Sequence, residues 1–158
     1  MPNIALLNYC NLNCPYCFAN DFILEEKQVL NLDNFNFILN FLNLNEINKI
    51  GIIGGEPTLH PEFSNFIKIL KQKFKKSIVI FTNGIELAPF YELFDENTVA
   101  LININHPNNM KIENYNKLIN TLNVFKEFNK LQYIRFGINL YENIPDYNFF
   151  IDLCKEYN

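Results

Sequence analysis

Apolar positions along the chain follow two periods, and the switch between them repeats. "NIALLN" (Asn3 to Asn8) is a short apolar run of strand character. In "LDNFNFILNFLNL" (Leu32 to Leu44), Phe35, Ile38, Leu39 and Leu42 share one helical face. Phe35, Phe37, Leu39 and Phe41 also alternate, which fits a strand, but the segment's length and its neighbours favour a helix. "INKIGII" (Ile47 to Ile53) reads as a second strand. "HPEFSNFIKILKQKF" (His60 to Phe74) reads as a helix with Phe63, Phe66, Ile67, Leu70 and Phe74 inward. Pro61 suits its first helical position and Glu62 the positive end of its dipole. "SIVIFTNG" (Ser77 to Gly84) is a third strand ending in a turn, followed by a short helical stretch, "APFYELF" (Ala88 to Phe94). "TVALININ" (Thr98 to Asn105) is a fourth strand, and Tyr115, Leu118, Ile119, Leu122 and Phe125 line the next helix. "LQYIRFGINL" (Leu131 to Leu140) is a fifth strand, and "DYNFFIDLCKEY" (Asp146 to Tyr157) begins a fifth helix.

Five strand-then-helix units predict an α/β fold: a parallel sheet covered by helices through right-handed crossovers. A partial (β/α) barrel and a doubly wound sheet both fit this order. Either one places ligands at the carboxyl ends of the strands. The polar punctuation falls there, as "CNLNCPYC", "GGEP", "TNG" and "NHP" after the first four strands. No linker or longer repeat interrupts the pattern, so residues 1–158 are expected to form one domain.

Composition narrows the function classes. With 158 residues, 49% of them hydrophobic, the chain can bury a core without disulfide staples. The net charge is −4, and lysines gather only in small groups such as "KQKFKK" (Lys71 to Lys76). No basic face recurs, which argues against nucleic-acid binding through a charged surface. The start, "MPNIALLNYC", lacks a basic leader region, and no apolar run reaches membrane-spanning length. A cytoplasmic location follows as the expectation. In that reducing setting clustered cysteines point to metal or catalysis before disulfides.

Three of the four cysteines, Cys10, Cys14 and Cys17, lie within one loop at C-x3-C-x2-C spacing. Zinc is one reading, with His60 or His106 as a fourth ligand, although structural zinc sites usually show paired C-x2-C knuckles. The other is a four-iron cluster, normally met by four cysteines; three would leave one iron open for a substrate or cosubstrate.

The triplet, with an aromatic residue (Tyr16) before its last cysteine, resembles the signature of the radical S-adenosylmethionine (radical SAM) enzymes. "GGEP" (Gly54 to Pro57) after the second strand and "TNG" (Thr82 to Gly84) after the third are similar to that family's companion motifs. The resemblance runs in order from Cys10 to about Asn139. It implies that Cys10, Cys14 and Cys17 ligate three irons of a [4Fe-4S] cluster and that S-adenosylmethionine chelates the fourth. It further implies reductive cleavage of SAM to a 5′-deoxyadenosyl radical that abstracts hydrogen from a substrate. Carried over by position, Tyr16 lies near the adenine, and Gly54, Gly55, Glu56 and Pro57 meet the SAM amine through backbone groups. Asn103, Asn105 and Asn139, at the ends of the fourth and fifth strands, are further cofactor contacts. A reductant such as flavodoxin or ferredoxin is implied as partner, and the style of the motifs favours a peptide substrate. The rival reading is a non-catalytic metal-binding or electron-transfer module, or an inactive remnant.

The resemblance implies a partial parallel (β/α) barrel, with about five β/α units in this chain; the family's usual core has six, so the chain is expected to be a fragment or a naturally abbreviated member, with a missing C-terminal region or a partner closing the barrel. Of the remaining residues, His60 is expected in a turn or cap, Asn83 and Gly84 in shaping a turn, and Cys154 as a buried core thiol. His106 is a lesser catalytic candidate. Arg135 is read either as paired with a carboxylate or as facing solvent.

Overall fold

One row of apolar residues crosses the whole sheet: Ile4, Ile52, Ile80, Ala100 and Ile134 stand side by side on five neighbouring strands. The computed structural model describes residues 1–20, 26–140 and 146–157. Its strands are β1 (Asn3–Ala5), β2 (Lys49–Ile53), β3 (Ser77–Thr82), β4 (Thr98–Asn103) and β5 (Ile134–Gly137). They lie in chain order, and every neighbouring pair is parallel. The crossovers carry helices α1 (Leu32–Phe41), α2 (Phe63–Lys73) and α3 (Ile112–Glu127), with a 3-10 stretch (Ala88–Leu93) between β3 and β4; α4 (Asn148–Tyr157) follows β5.

A strand order that never reverses has no topological switch point. Right-handed crossovers then place the helices on one face of the sheet, the arrangement of a partial barrel. Strand alternation divides the residues accordingly. Ile4, Ile50, Ile52, Ile78, Ile80, Ala100, Ile102 and Ile134 are buried and join one cluster with Phe35, Leu39, Phe63, Phe66, Ile67, Leu70, Leu118, Leu122 and Phe125 from the helices. The odd-numbered positions, among them Asn3, Ile53, Phe81, Leu101 and Asn103, line a cavity on the other side.

The first helix resolves its ambiguous pattern by period. Phe35 and Leu39, four apart, are buried, whereas Phe37 and Phe41 are 70% and 79% exposed. Asn31 caps this helix through its side chain, which accepts from Asn34 N at 2.8 Å. The Phe35 ring stacks on Phe66 of α2 at 4.4 Å between centroids, which fixes the two helices side by side.

Some boundaries differ from expectation. α2 begins at Phe63, two residues after Pro61, because Pro61 and Glu62 form a turn closed by His60. β5 is short: Leu131–Tyr133 form a 3-10 turn before it. Cys154 is half-buried on α4, where Leu153 and Tyr157 are the residues that enter the core. Arg135 is exposed and donates to the carbonyls of Gln132 and Ile134 at 2.8 and 2.7 Å.

Ile80→Ala removes the centre of the five-strand row. It is expected to cost about 2–5 kcal/mol, seen as a lower urea midpoint with an unchanged slope.

Candidate cofactor site

The cysteine loop is held before it is shaped. Asn8, buried at the end of the first apolar run, donates to Glu26 O at 2.9 Å and accepts from Gln28 N at 2.7 Å. Its backbone and that of Leu6 bond to the same returning segment, through Asn8 N to Gln28 O and Leu30 N to Leu6 O. The two ends of the loop are thereby clamped together. His60 helps from below, with Nε2 donating to Leu30 O at 2.9 Å and Nδ1 accepting from Glu62 N at 3.0 Å. Both ring nitrogens are occupied, so His60 has a turn role and no free ligand atom.

Beyond the clamp, the loop crosses the residues after β2 at backbone distance. Gly55 N donates to Leu7 O at 3.0 Å, and Glu56 N to Tyr9 O at 2.9 Å. A Cβ on Gly55 would lie 2.0 Å from Tyr9 O and 2.9 Å from Cys10 N. The glycine therefore serves the close approach of another stretch of chain, next to the first cysteine.

Glu56 has the least accessible carboxyl in the site, at 1% exposure. Its Oε1 accepts from Thr58 Oγ1 and Thr82 Oγ1, each at 2.6 Å, and from Thr58 N at 3.2 Å; its Oε2 accepts from Asn83 N at 2.7 Å. Burial pushes this carboxyl above the usual range, and the four donors oppose that push. Asn83 also accepts from Ile85 N through Oδ1 and donates to Asn11 Oδ1 at 2.7 Å, so it shapes its own turn and reaches the cysteine loop. Gly84 follows with φ of 77°, the left-handed conformation the turn requires.

Cys10, Cys14 and Cys17 are free, half-exposed thiols that line one cavity of about 400 Å³ at the carboxyl ends of the strands. A turn sets the last two, with Cys17 N donating to Cys14 O at 3.1 Å. Burial, followed by the charges of Glu56 and the other cysteines, pushes the Cys10 thiol up to about 11, against a donation from Leu12 N. Burial likewise raises Cys14, opposed by Asn105 and Tyr16.

Of the residues expected at a cofactor, Tyr16, Gly54, Gly55, Glu56, Asn103, Asn105 and Asn139 line this same cavity with the three cysteines. Pro57 does not: it is buried and opens a 3-10 turn (Pro57–Leu59) capped by Glu56. The backbone N–H groups of Gly55 and Glu56 are turned to the cysteine loop, so what this motif offers the cavity is the rest of its surface. The four polar residues from β4, β5 and the loop bond to one another. Asn139 Nδ2 donates to Asn103 Oδ1 at 3.0 Å, Asn103 Nδ2 to the Tyr16 hydroxyl at 3.3 Å, and Tyr16 to Asn105 Oδ1; Asn105 Nδ2 reaches Cys14 Sγ at 3.5 Å. His106 stands apart. Its Nδ1 accepts from Asn108 N, its ring meets Phe149 edge-on at 4.6 Å, and it does not line the cavity. Cys154 does not line it either.

The cavity also contains Asn3, Phe81 and Leu101, none of which carries a motif. Alternation along the strands places them on the same face as Asn103, and that was the available signal. Gly51 makes room for Asn3, since a Cβ there would sit 2.1 Å from Asn3 Oδ1.

The donor set fits an iron–sulfur cluster with one open corner. Three thiols line one cavity without a fourth, and neither histidine lines it. Among the described residues, no three His, Cys, Asp or Glu side chains converge as ligands of a single ion would. These features define a partial barrel with a cysteine-lined cavity at the carboxyl ends of its strands. The chain belongs to the radical SAM superfamily, whose family model matches residues 4–139. Members of that family use a [4Fe-4S] cluster and S-adenosylmethionine. The chain is 31% identical over 102 residues to the GTP 3′,8-cyclase of Synechocystis sp., covering 64% of this chain and 31% of that protein. It is 30% identical over 163 residues to an S-adenosylmethionine-dependent nucleotide dehydratase of Fibrobacter sp., covering 93% of this chain and 48% of that protein. Among solved structures, Streptococcus suis SuiB bound to S-adenosylmethionine shares the fold at TM-score 0.74 and 21% identity, over 98% of this chain and 36% of that one. The chain thus spans less than half the length of these relatives. Among the described residues, no helix is long and apolar enough to cross a membrane.

Gly55→Ala is expected to displace the Tyr9–Cys10 peptide while leaving the sheet folded. Thiol-reagent kinetics on the metal-free protein should show the loop cysteines reacting severalfold faster, with the Cys154 rate unchanged.

Proposed function

We propose that this chain is the catalytic core of a radical SAM enzyme. The carrying observation is that three thiols, with no fourth cysteine beside them, share one cavity with Gly54, Gly55 and Glu56 at the strand ends. In this reading Cys10, Cys14 and Cys17 hold three corners of a [4Fe-4S] cluster and leave the fourth to S-adenosylmethionine. A cluster held there would supply the electron for cleaving S-adenosylmethionine to methionine and a 5′-deoxyadenosyl radical, the species that would take hydrogen from the substrate.

The chain's own residues bind, orient and shield. The walls at Gly54, Gly55 and Glu56 border the methionyl end, with the buried Glu56 carboxylate favouring a cationic amine. Tyr16, Asn103 and Asn139 form the rim toward β5 and offer a ring and amides to the adenosyl group. Asn105, only 4% exposed, faces the cysteine loop. Pro57 fixes the turn that orients Glu56.

For the substrate, likeness to a GTP cyclase and a nucleotide dehydratase supports a nucleotide over the peptide that motif style suggested. The peptide is supported only by likeness of fold to SuiB, which has been solved bound to its precursor peptide SuiA. Among the described residues, those lining the cavity include amides and the Phe81 ring but neither Lys nor Arg. This face therefore suits a base and ribose, with phosphates recognised by residues outside it. A low-potential donor such as flavodoxin or ferredoxin would supply the electron, in a reducing cytoplasm. Among the described residues no strand pairs with the outer edge of β5, and a further strand there, from a longer chain or a partner, would complete the barrel.

Anaerobic reconstitution is expected to yield about four irons and four sulfides per chain, and the reduced protein to form 5′-deoxyadenosine from S-adenosylmethionine. Zinc uptake without a cluster, or no 5′-deoxyadenosine, would contradict the proposal. Cys14→Ala should lose the cluster, whereas Cys154→Ala should keep the wild-type absorption spectrum.

A further inference from the structure

The four polar residues at the rim and the loop form a single file. Each link is a hydrogen bond from one amide or hydroxyl to the next: Asn139 to Asn103, Asn103 to Tyr16, Tyr16 to Asn105, and Asn105 to Cys14 Sγ. The file begins at the end of β5, passes the end of β4, and finishes on the middle cysteine of the loop.

Its direction follows from the donor inventory. A metal-bound cysteine sulfur has lost its proton and can only accept. Asn105 must then present its NH2 to the sulfur and its oxygen to Tyr16, whose proton goes to that oxygen. The Tyr16 oxygen is left to accept from Asn103, and Asn103 Oδ1 to accept from Asn139. Every dipole in the file points its positive end toward Cys14, and successive hydrogen bonds polarise one another in the same sense. Asn105 itself is buried, so little water competes for its donor.

Resting on the cluster assignment above, we infer that Asn105, aligned by Tyr16, raises the reduction potential of the cluster through its hydrogen bond to Cys14 Sγ. Reduction adds one electron to the cluster and breaks no bond, and the added charge is shared by the cysteine sulfurs. A donor aimed at one of those sulfurs stabilises the reduced form more than the oxidised one. Asn105 is thus a positioning and tuning residue; it acts through Cys14. Among the described contacts, Asn105 to Cys14 is the shortest side-chain donation to a loop thiol. Cys10 receives Leu12 N at 3.4 Å, a backbone donor that no side-chain choice can alter, and Asn83 Nδ2 only at 3.8 Å.

The test is a redox titration of reconstituted protein with dithionite as electron source, followed by electron paramagnetic resonance, on wild type, Asn105→Leu and Tyr16→Phe. Both variants are expected to hold the wild-type complement of iron and sulfide. Asn105→Leu should show a midpoint shifted to more negative potential, with the ratio of reduced to oxidised cluster at fixed poise lowered about threefold or more. Tyr16→Phe, which keeps Asn105 but removes both its alignment and the direct approach of the Tyr16 hydroxyl to Cys14, should shift the same way by less. Tyr16→Phe also keeps the inference open to refutation should Asn105→Leu fail to fold, as checked by circular dichroism. Unchanged midpoints in loaded variants, or a positive shift, would overturn it. Loss of the cluster from folded Asn105→Leu with no shift in Tyr16→Phe would overturn it too, assigning Asn105 to loop geometry alone. A wild-type chain that binds no iron and sulfide would instead refute the cluster assignment, and this inference with it.

Discussion

Two backbones meet where Gly55 lies against the Tyr9–Cys10 peptide, and no side chain could stand between them. The contact extends the pairing of β1 with β2 past the end of the strands, through Gly55 N to Leu7 O and Glu56 N to Tyr9 O. Cys10 follows directly, so the first thiol inherits its position from the sheet. Glu56, the next residue along, turns its side chain the opposite way and accepts from Thr82 and Asn83 after β3. Asn83 then closes the figure by donating to Asn11 in the cysteine loop. The three motifs are one interlocked structure, each bonded to the other two. A buried carboxylate left without such donors would cost several kcal/mol, which is why the threonine and the turn must accompany it.

The alternation of periods made the architecture legible, because a parallel sheet covered on one face needs apolar residues at every second position and helices at every crossover. The row from Ile4 to Ile134 is that requirement made visible. Periodicity alone left a barrel and a doubly wound sheet open, since strand order depends on which way each crossover turns; the resemblance carried by the cysteine loop and its companions pointed to the partial barrel, and the unreversed strand order agrees. The cysteine loop and its companions were legible as a set because their chemistry restricts residue type and spacing. The internal uses of Gly55 and Glu56 were not: a glycine allows close approach without saying of what, and a glutamate in a loop does not announce its burial. His106 and Pro57 show the same limit. Both lie in polar punctuation at strand ends, and both face away from the cavity, one onto Phe149 and the other into a turn.

The asparagines illustrate how a compositional bias can carry local meaning. Scattered along the chain they reveal nothing, yet Asn103, Asn105 and Asn139 come to one rim because β4 and β5 are neighbours with Asn103 opposite Gly137. Strand alternation puts Asn103 and Asn105 on one side, and a Cβ at Gly137 would press on Leu101 Cδ2 at 3.1 Å. Their bonds to one another are long-range in sequence, up to 91 residues between Asn105 and Cys14. Such contacts cannot be read before the register is known.

Neutral amides suit this position for an electrostatic reason. The wall opposite already holds Glu56, and the thiols that line the cavity become thiolates when they bind metal. A fixed cation beside them would pair with one state of the site and oppose the rest of its cycle, in a low-dielectric setting where each unit of charge weighs heavily. An amide carries a dipole that can be turned by its neighbour, so its influence is set by orientation. Tyr16 provides that orientation while standing in the cysteine loop itself, between Cys14 and Cys17. The aromatic residue of the motif therefore binds the rim to the loop, and on the inference drawn above the potential of a cluster held there would depend on how β4 and β5 sit beside it.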